Sequence, residues 1–248
     1  MPDYYYISPQ RYDDQFWWKK DDLEFWKSKL LKPNKNILEL GAGTGRIANV
    51  LMREGAHYTG IDISSDYVDY ANSKLSQYTN NRVIICKDMK NFHLHKRFDF
   101  IFIAFNSFLH LLKENDAIQC LKQIKKHMHD NSILYIDILI PRTEFLDRSE
   151  KKQISIMEYH DSKLKEEVLI TENLSYDNIK EIANIDWNYS IMNKKYHDKF
   201  NFKMKMYYPD TMNKILIDNN FIITNLWGSY REEPLNEDSS IQIYECKL

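Results

Sequence analysis

Apolar and polar positions follow two different rhythms along the chain, and the change comes near Pro141. Before it, short apolar runs alternate with stretches of helical spacing. Phe16, Leu23, Trp26 and Leu30 recur at roughly helical intervals and predict a helix over 12–31, ended by Pro33 and Asn34. The run at 36–40 predicts the first strand. Ile47, Val50 and Leu51 then share a helix face that stops at Gly55. A second strand is expected over 58–61, followed by Asp62. Ser64 or Ser65 would cap a helix with Val68, Ala71 and Leu75 inward. Strands over 83–86 and 100–103 come next, the latter a continuous apolar run of the kind buried on both faces. A helix carrying Ala117, Leu121, Ile124 and Met128 leads into a fifth strand over 133–139. Strict alternation of strand and helix implies an α/β fold with a parallel, doubly wound sheet.

Beyond Pro141 the period becomes two. Ile154 and Ile156, then Ile185, Trp187, Tyr189 and Ile191, then Phe200, Phe202, Met204, Met206 and Tyr208 alternate with polar residues. This predicts an antiparallel sheet with one covered face. Pro209 marks a helix start, expected over 211–219, and two last strands are expected over 221–226 and 241–246. The expected organisation is a helical lid over 1–35, a core over 36–145, an antiparallel β insertion over 146–208 and a closing helix and hairpin over 209–248.

Half of the chain's six glycines fall in one loop, Gly41, Gly43 and Gly45, directly after the first strand. Glycine serves where the backbone needs positive φ or a ligand must come close. The loop reads Glu39-Leu40-Gly41-Ala42-Gly43-Thr44-Gly45-Arg46. A dinucleotide fingerprint needs G-x-G-x-x-G, and here the third glycine comes one residue early, with Arg46 in its slot. A phosphate-binding P-loop would need Gly-Lys-Ser/Thr, which does not follow. What remains is G-x-G-x-G with an acidic residue two positions before it. Asp62 lies about twenty residues on, the distance at which a carboxylate can accept from ribose hydroxyls.

Composition narrows the classes. Net charge is −2 and hydrophobic residues make up 43%, enough for a core and without the basic excess of a nucleic-acid binder. Lys194, Lys195, Lys199, Lys203 and Lys205 form a local basic stretch, read as a solvated strand face. Cys86, Cys120 and Cys246 are scattered, which suggests neither disulfides nor a zinc site and points to a reducing cytoplasm. No apolar run approaches the ~18 residues of a membrane span. Tyr4-Tyr5-Tyr6 and Phe16-Trp17-Trp18 crowd aromatics near the start, in a segment expected to fold over something. Trp17 and Trp18 would sit side by side on a helix.

The glycine loop, its preceding Glu39 and the strand order resemble the S-adenosylmethionine (SAM)-dependent class I methyltransferases, whose Rossmann-like sheet of parallel strands ends in an antiparallel hairpin. Tyr12-Asp13-Asp14, the stretch from Phe105 to Leu111 and the β insertion are similar to the small-molecule branch that includes glycine N-methyltransferase-like enzymes and amino-sugar N,N-dimethyltransferases. The usual Pro-Gly-Gly before strand five is replaced by His129-Asp130-Asn131-Ser132, with Asn131 expected to take the left-handed geometry of the glycine.

The resemblance implies a cofactor, SAM, held by Glu39 at its ammonium, by Gly41, Ala42, Gly43 and Arg46 along the loop, by Asp62 at the ribose, by Asp88 and Met89 at the adenine, by Phe105 at the methionine half, and by Ile63 as a further contact. Tyr12 and Trp18 are candidates for an aromatic wall near the sulfonium. His110, with Tyr12, is the catalytic candidate, as a base for the acceptor. The reaction implied is methyl transfer to a nitrogen or oxygen of a small molecule such as an amino sugar, amino acid or secondary metabolite. No metal, nucleic-acid or membrane partner is implied, and a homodimer through the insertion is. A tRNA or rRNA methyltransferase and a non-catalytic SAM-binding module are the alternatives; the former is disfavoured by charge and by Ala104-Phe105-Asn106-Ser107 where amino-methylating enzymes carry Pro-Pro-aromatic.

Overall fold

The computed structural model describes residues 7–146, 153–192, 194 and 197–248, and the chain divides into two compact units. The larger comprises Asp21–Ile140 and Tyr207–Leu248; the smaller comprises the N-terminal residues to Lys20 and Pro141–Met206. Tyr4, Tyr5 and Tyr6 lie outside the described residues.

In the larger unit, strands β1 (Asn36–Leu40), β2 (His57–Asp62), β3 (Ile84–Cys86), β4 (Phe100–Ile103) and β5 (Ile133–Leu139) are parallel, in the order β3-β2-β1-β4-β5. Strands β10 (Ile222–Trp227) and β11 (Ile241–Lys247) complete it, with β11 antiparallel between β5 and β10. The sheet therefore is the expected one, parallel with a closing antiparallel hairpin. Register sets its faces. Gly60, Glu39, Phe102 and Tyr135 are neighbours across four strands, so they share one face. That face packs on α2 (Leu23–Leu30), α3 (Arg46–Arg53) and α4 (Ser65–Leu75) through Trp26, Leu30, Ala48, Leu51, Val68 and Ala71. Leu38, Leu40, Ile101, Ile103, Leu134 and Ile136 point the other way and are equally buried. Burial on both faces is why these strands read as unbroken apolar runs.

Four expectations change. The helix expected over 12–31 is two helices, α1 (Pro9–Gln15) and α2. Ser8 caps α1, accepting from the Arg11 amide, and Pro9 opens it. Between them the chain turns without glycine or proline. Asp22 precedes α2 but does not cap it; its carboxylate instead takes the Arg46 guanidinium through two bonds of 2.7 Å. Trp17 and Trp18 consequently lie in a turn, substantially exposed, and not on a helix. Val50 is only half-buried, and Ala48 takes its inward place. Asn131 is not among the described residues with positive φ. Ser132 closes that turn, its hydroxyl accepting from the His129 amide and donating to the Phe98 carbonyl.

The smaller unit is a meander of β6 (Ile154–Asp161), β7 (Glu166–Asp177), β8 (Ile182–Ile191) and β9 (His197–Lys205). Strand β7 did not show in the period-two reading. Val168, Ile170 and Leu174 alternate inward, but a buried glutamate, Glu172, breaks the apolar series. Helix α1 packs within this unit: the Tyr189 hydroxyl donates to Gln15, and Arg11 lies over the Tyr189 ring while pairing with Asp198 at 2.6 Å. Of the predicted apolar face, Met204 and Met206 are buried, whereas Phe200 and Phe202 stack on each other, meet Trp187 tilted and edge-on respectively, and stay half-exposed. Lys199 and Lys203 are exposed on the edge strand.

Trp26 joins the larger unit's helices to its sheet. It is fully buried, packs 5.0 Å from the Phe102 ring and donates its indole N–H to Asp22. Trp26→Ala should lower stability by about 3–5 kcal/mol, read as a shift of the urea unfolding midpoint; Trp26→Phe should cost clearly less.

Candidate functional site

Parallel strands bring four loops together at their carboxyl ends, and the sheet order reverses between β1 and β4, where ligands bind in folds of this kind. The first loop follows β1. Gly41, Gly43 and Gly45 all have positive φ, which side chains adopt at a cost. Each is needed for a different reason. A β-carbon on Gly41 would lie 2.7 Å from that of Ser107, in the loop after β4. One on Gly45 would press on Ala71 and Leu75 of α4. One on Gly43 would meet nothing within 4 Å; that backbone faces open space, as a loop shaped for a ligand requires. The Gly41 and Ala42 amides both donate to the Ile61 carbonyl and tie the loop to β2.

Two carboxylates flank this loop on one sheet face. Asp62 ends β2. Its Oδ2 accepts from the Gly43 amide at 2.8 Å and its Oδ1 from the Ser64 amide at 2.9 Å. Burial raises its pKa, with the Ser64, Gly43 and Ile63 amides opposing. Glu39 lies one residue from the end of β1, 4% exposed. Its Oε2 accepts from the Tyr58 hydroxyl at 2.5 Å. Burial lifts its pKa from 4.5 to about 8, opposed by the Tyr58 hydrogen bond and then by Arg46, while Asp22 and Asp62 add to the rise.

Around them stand the other predicted residues of the larger unit. Ile63 is exposed beside Asp62. Asp88 follows β3, where its Oδ1 accepts from the Lys90 amide and its Oδ2 lies 3.7 Å from Lys90 Nζ. The Met89 methyl approaches Gly41. Phe105 follows β4 with φ +48, next to Asn106 with φ +68, costly positions for residues other than glycine. Asp137 of β5 holds them: its carboxylate accepts from the Phe105 amide and the Tyr230 hydroxyl, while its carbonyl accepts from the Asn106 amide. The Arg46 guanidinium, fixed by Asp22, lies 5.5 Å from the Phe105 ring centre. His110 ends the short 3-10 helix Ser107–His110 and is exposed. Tyr12 and Trp18 belong to the smaller unit, Tyr12 with its ring 4.7 Å from Phe16. Sequence reasoning missed Tyr58, Gly60 and Asp137. For Asp137 a signal existed, an acid inside the apolar strand Ile133–Leu139.

Residues 37–131 match the family model described as a methyltransferase domain. The chain carries a methyltransferase domain. YqeM of Bacillus subtilis (strain 168), provisionally described as a methyltransferase, is 28% identical over 139 residues, 52% of this chain and 56% of that protein. The chain thus spans about half the length of the curated relatives it matches. Among solved structures, a SAM-dependent methyltransferase from Clostridium acetobutylicum ATCC 824 superposes with a TM-score of 0.76 at 16% identity, over 96% of each chain. SAM-bound CalS10, an amino pentose methyltransferase from Micromonospora echinaspora, superposes with 0.71 at 11% identity, over 99% of this chain and 98% of that one. At such identities the likeness establishes the fold: the methyltransferase domain has the Rossmann-like class I architecture.

Because each Asp62 oxygen accepts from a backbone amide, Asp62 fastens the glycine loop in the methyltransferase domain, and each oxygen keeps a second lone pair for a ligand. Asp62→Asn replaces one accepting oxygen with a donor that faces an N–H. It should destabilise the protein by roughly 1–3 kcal/mol and speed hydrogen exchange at the Gly43 and Ser64 amides, followed by NMR.

Proposed function

We propose that the protein is a SAM-dependent methyltransferase that moves a methyl group to a nitrogen or oxygen of a small-molecule acceptor such as an amino sugar, amino acid or secondary metabolite. The observation that carries this is the unobstructed backbone at Gly43, set between Glu39 and Asp62 on one sheet face. Such a loop receives an uncharged nucleoside along bare backbone. Nothing in it demands a phosphate: Arg46, the first residue of α3, is committed to Asp22.

In this reading Glu39 takes the cofactor's ammonium, Asp62 the ribose hydroxyls and Asp88 the adenine amino group. Ile63 and Met89 pack on the adenine. Gly41, Ala42, Gly43 and the backbone at Ala104 and Phe105 line the rest. SAM, when bound, supplies an electrophilic methyl on a sulfonium. The protein's contribution is then chiefly positioning, worth about 7–11 kcal/mol in favourable cases. Phe105 is held for that task by Asp137 and Arg46. His110 takes the acceptor's proton. The determinants of acceptor choice and of a homodimer are assigned to the insertion, residues 146–208, and the enzyme is assigned to the cytoplasm. CalS10, a structural neighbour described as an amino pentose methyltransferase, supports a sugar amine as the first acceptor to try. No helix among the described residues is long and apolar enough to cross a membrane.

Titration calorimetry should show binding of SAM and of S-adenosylhomocysteine and none of NAD. Binding of NAD without SAM would overturn the reading. Incubation with labelled SAM and a metabolite extract should yield a methylated small molecule, and His110→Ala should slow its formation by about 100-fold or more; binding without any turnover would leave a non-catalytic SAM module. Activity should also persist in EDTA, since no metal is assigned to the reaction; loss restored by Mg²⁺ would refute this.

A further inference from the structure

Tyr58 lies two residues before Gly60 on β2 and shares its face. Gly60 is the direct neighbour of Glu39 across the sheet, and Tyr58 that of Ile37. A β-carbon at Gly60 would come within 2.7 Å of the Tyr58 hydroxyl. The tyrosine ring therefore runs along the strand through the space that Gly60 leaves, and its hydroxyl ends on Glu39 Oε2. Tyr58 is itself 6% exposed. A phenol placed this way, with a small-residue gap cut for it, holds a specific oxygen of a specific acid.

We propose that Tyr58 is a positioning residue for Glu39, and that the pair couples cofactor binding to the release of one proton from the Glu39 carboxyl to solvent. The proposal rests on the SAM reading of the site. With Oε2 taken by the Tyr58 hydroxyl, Oε1 is the oxygen left for the ligand's ammonium. Before binding, the buried carboxyl keeps its proton at neutral pH. On binding, the proton leaves for water, the carboxylate remains, and its charge is met by the incoming ammonium and by the Tyr58 O–H, a bond that strengthens when its acceptor is ionised. The groups that face Glu39 fit this sequence. Arg46 of α3 favours the carboxylate, Asp22 before α2 and Asp62 of β2 oppose it, and Tyr58 favours it through its hydrogen bond. Arg46 is shared with Asp22, so it does not neutralise Glu39 alone.

The sign follows from linkage. The free protein holds a proton on Glu39 up to about pH 8, and the bound form does not. Affinity for S-adenosylhomocysteine should therefore rise with pH, close to tenfold per unit through neutrality, and level off above about pH 8. The ligand-free protein should show the reverse trend in stability. Its folded-state pKa is raised, so that contribution is present below about 4.5 and lost as pH climbs to about 8.

The test is calorimetry of the intact protein with S-adenosylhomocysteine, and with adenosine, which lacks the ammonium. Run near pH 7 in buffers of different ionisation enthalpy, S-adenosylhomocysteine should release close to one proton and adenosine none. Tyr58→Phe should weaken S-adenosylhomocysteine about tenfold near pH 7, move the levelling-off to higher pH and leave adenosine unchanged. Glu39→Gln should abolish both the proton release and the pH dependence. Equal losses for both ligands at every pH in Tyr58→Phe would make Tyr58 a packing residue and overturn its assignment. Binding of S-adenosylhomocysteine by the wild type without proton release would overturn the coupling and leave the SAM reading standing. Failure of both ligands to bind at any pH would instead overturn the SAM reading itself. The wild-type proton count decides the coupling even if Tyr58→Phe does not fold.

Discussion

A side chain at position 60 would collide at once with the Tyr58 hydroxyl, the Ala42 methyl and Ile84. Three strands and the glycine loop meet over that missing atom. Ala42 can sit down on β2 because nothing projects there, and its amide then reaches the Ile61 carbonyl beside that of Gly41. Once the loop is seated, the Gly43 amide points at Asp62 and Gly45 can open α3 against α4. The residue with the least chemistry in the site thus sets the height at which all the other groups stand.

The polar groups of the larger unit form linked sets around that seat. Asp22 binds Arg46 and receives the Trp26 indole; Arg46 lies over Phe105; Phe105 is held at positive φ by Asp137, which also receives Tyr230. Buried charges are tolerable when each is paired and hydrogen-bonded, and here every member has a named partner. Two adjacent residues at positive φ, Phe105 and Asn106, lie where these bonds converge, in keeping with the habit of storing strain at working sites.

Much of this was legible in the order of residues. The sheet was, because strands buried on both faces must be apolar throughout and those of 36–40, 100–103 and 133–139 are. Glu39, the glycines and Asp62 were legible because their spacing has a chemical reason. The single helix over 12–31 was not resolvable into two, since Lys19, Lys20, Asp21 and Asp22 are compatible with a helix and the turn is stabilised by a distant partner, Arg46. Strand β7 was masked by Glu172, buried among apolar neighbours. Tyr58 reads as an ordinary strand residue, and its meaning depends on register with β1, which a sequence alone does not supply. Asp137 could have been singled out, because a carboxylate inside an apolar strand needs donors from elsewhere.

The last strand of the described chain, β11, lies inside the sheet and not at its edge: it pairs with β5 on one side and β10 on the other. Synthesis runs from the N-terminus, so β1 to β5 leave the ribosome well before their neighbour exists. Until then the outer side of β5 is a row of unpaired backbone groups, a template for adhesion. The wait is lengthened by the second segment of the smaller unit, Pro141–Met206, which is made in between. A nascent chain of this protein therefore spends its most adhesive interval while the four-stranded meander is being translated, which makes the speed of translation through that segment a determinant of yield.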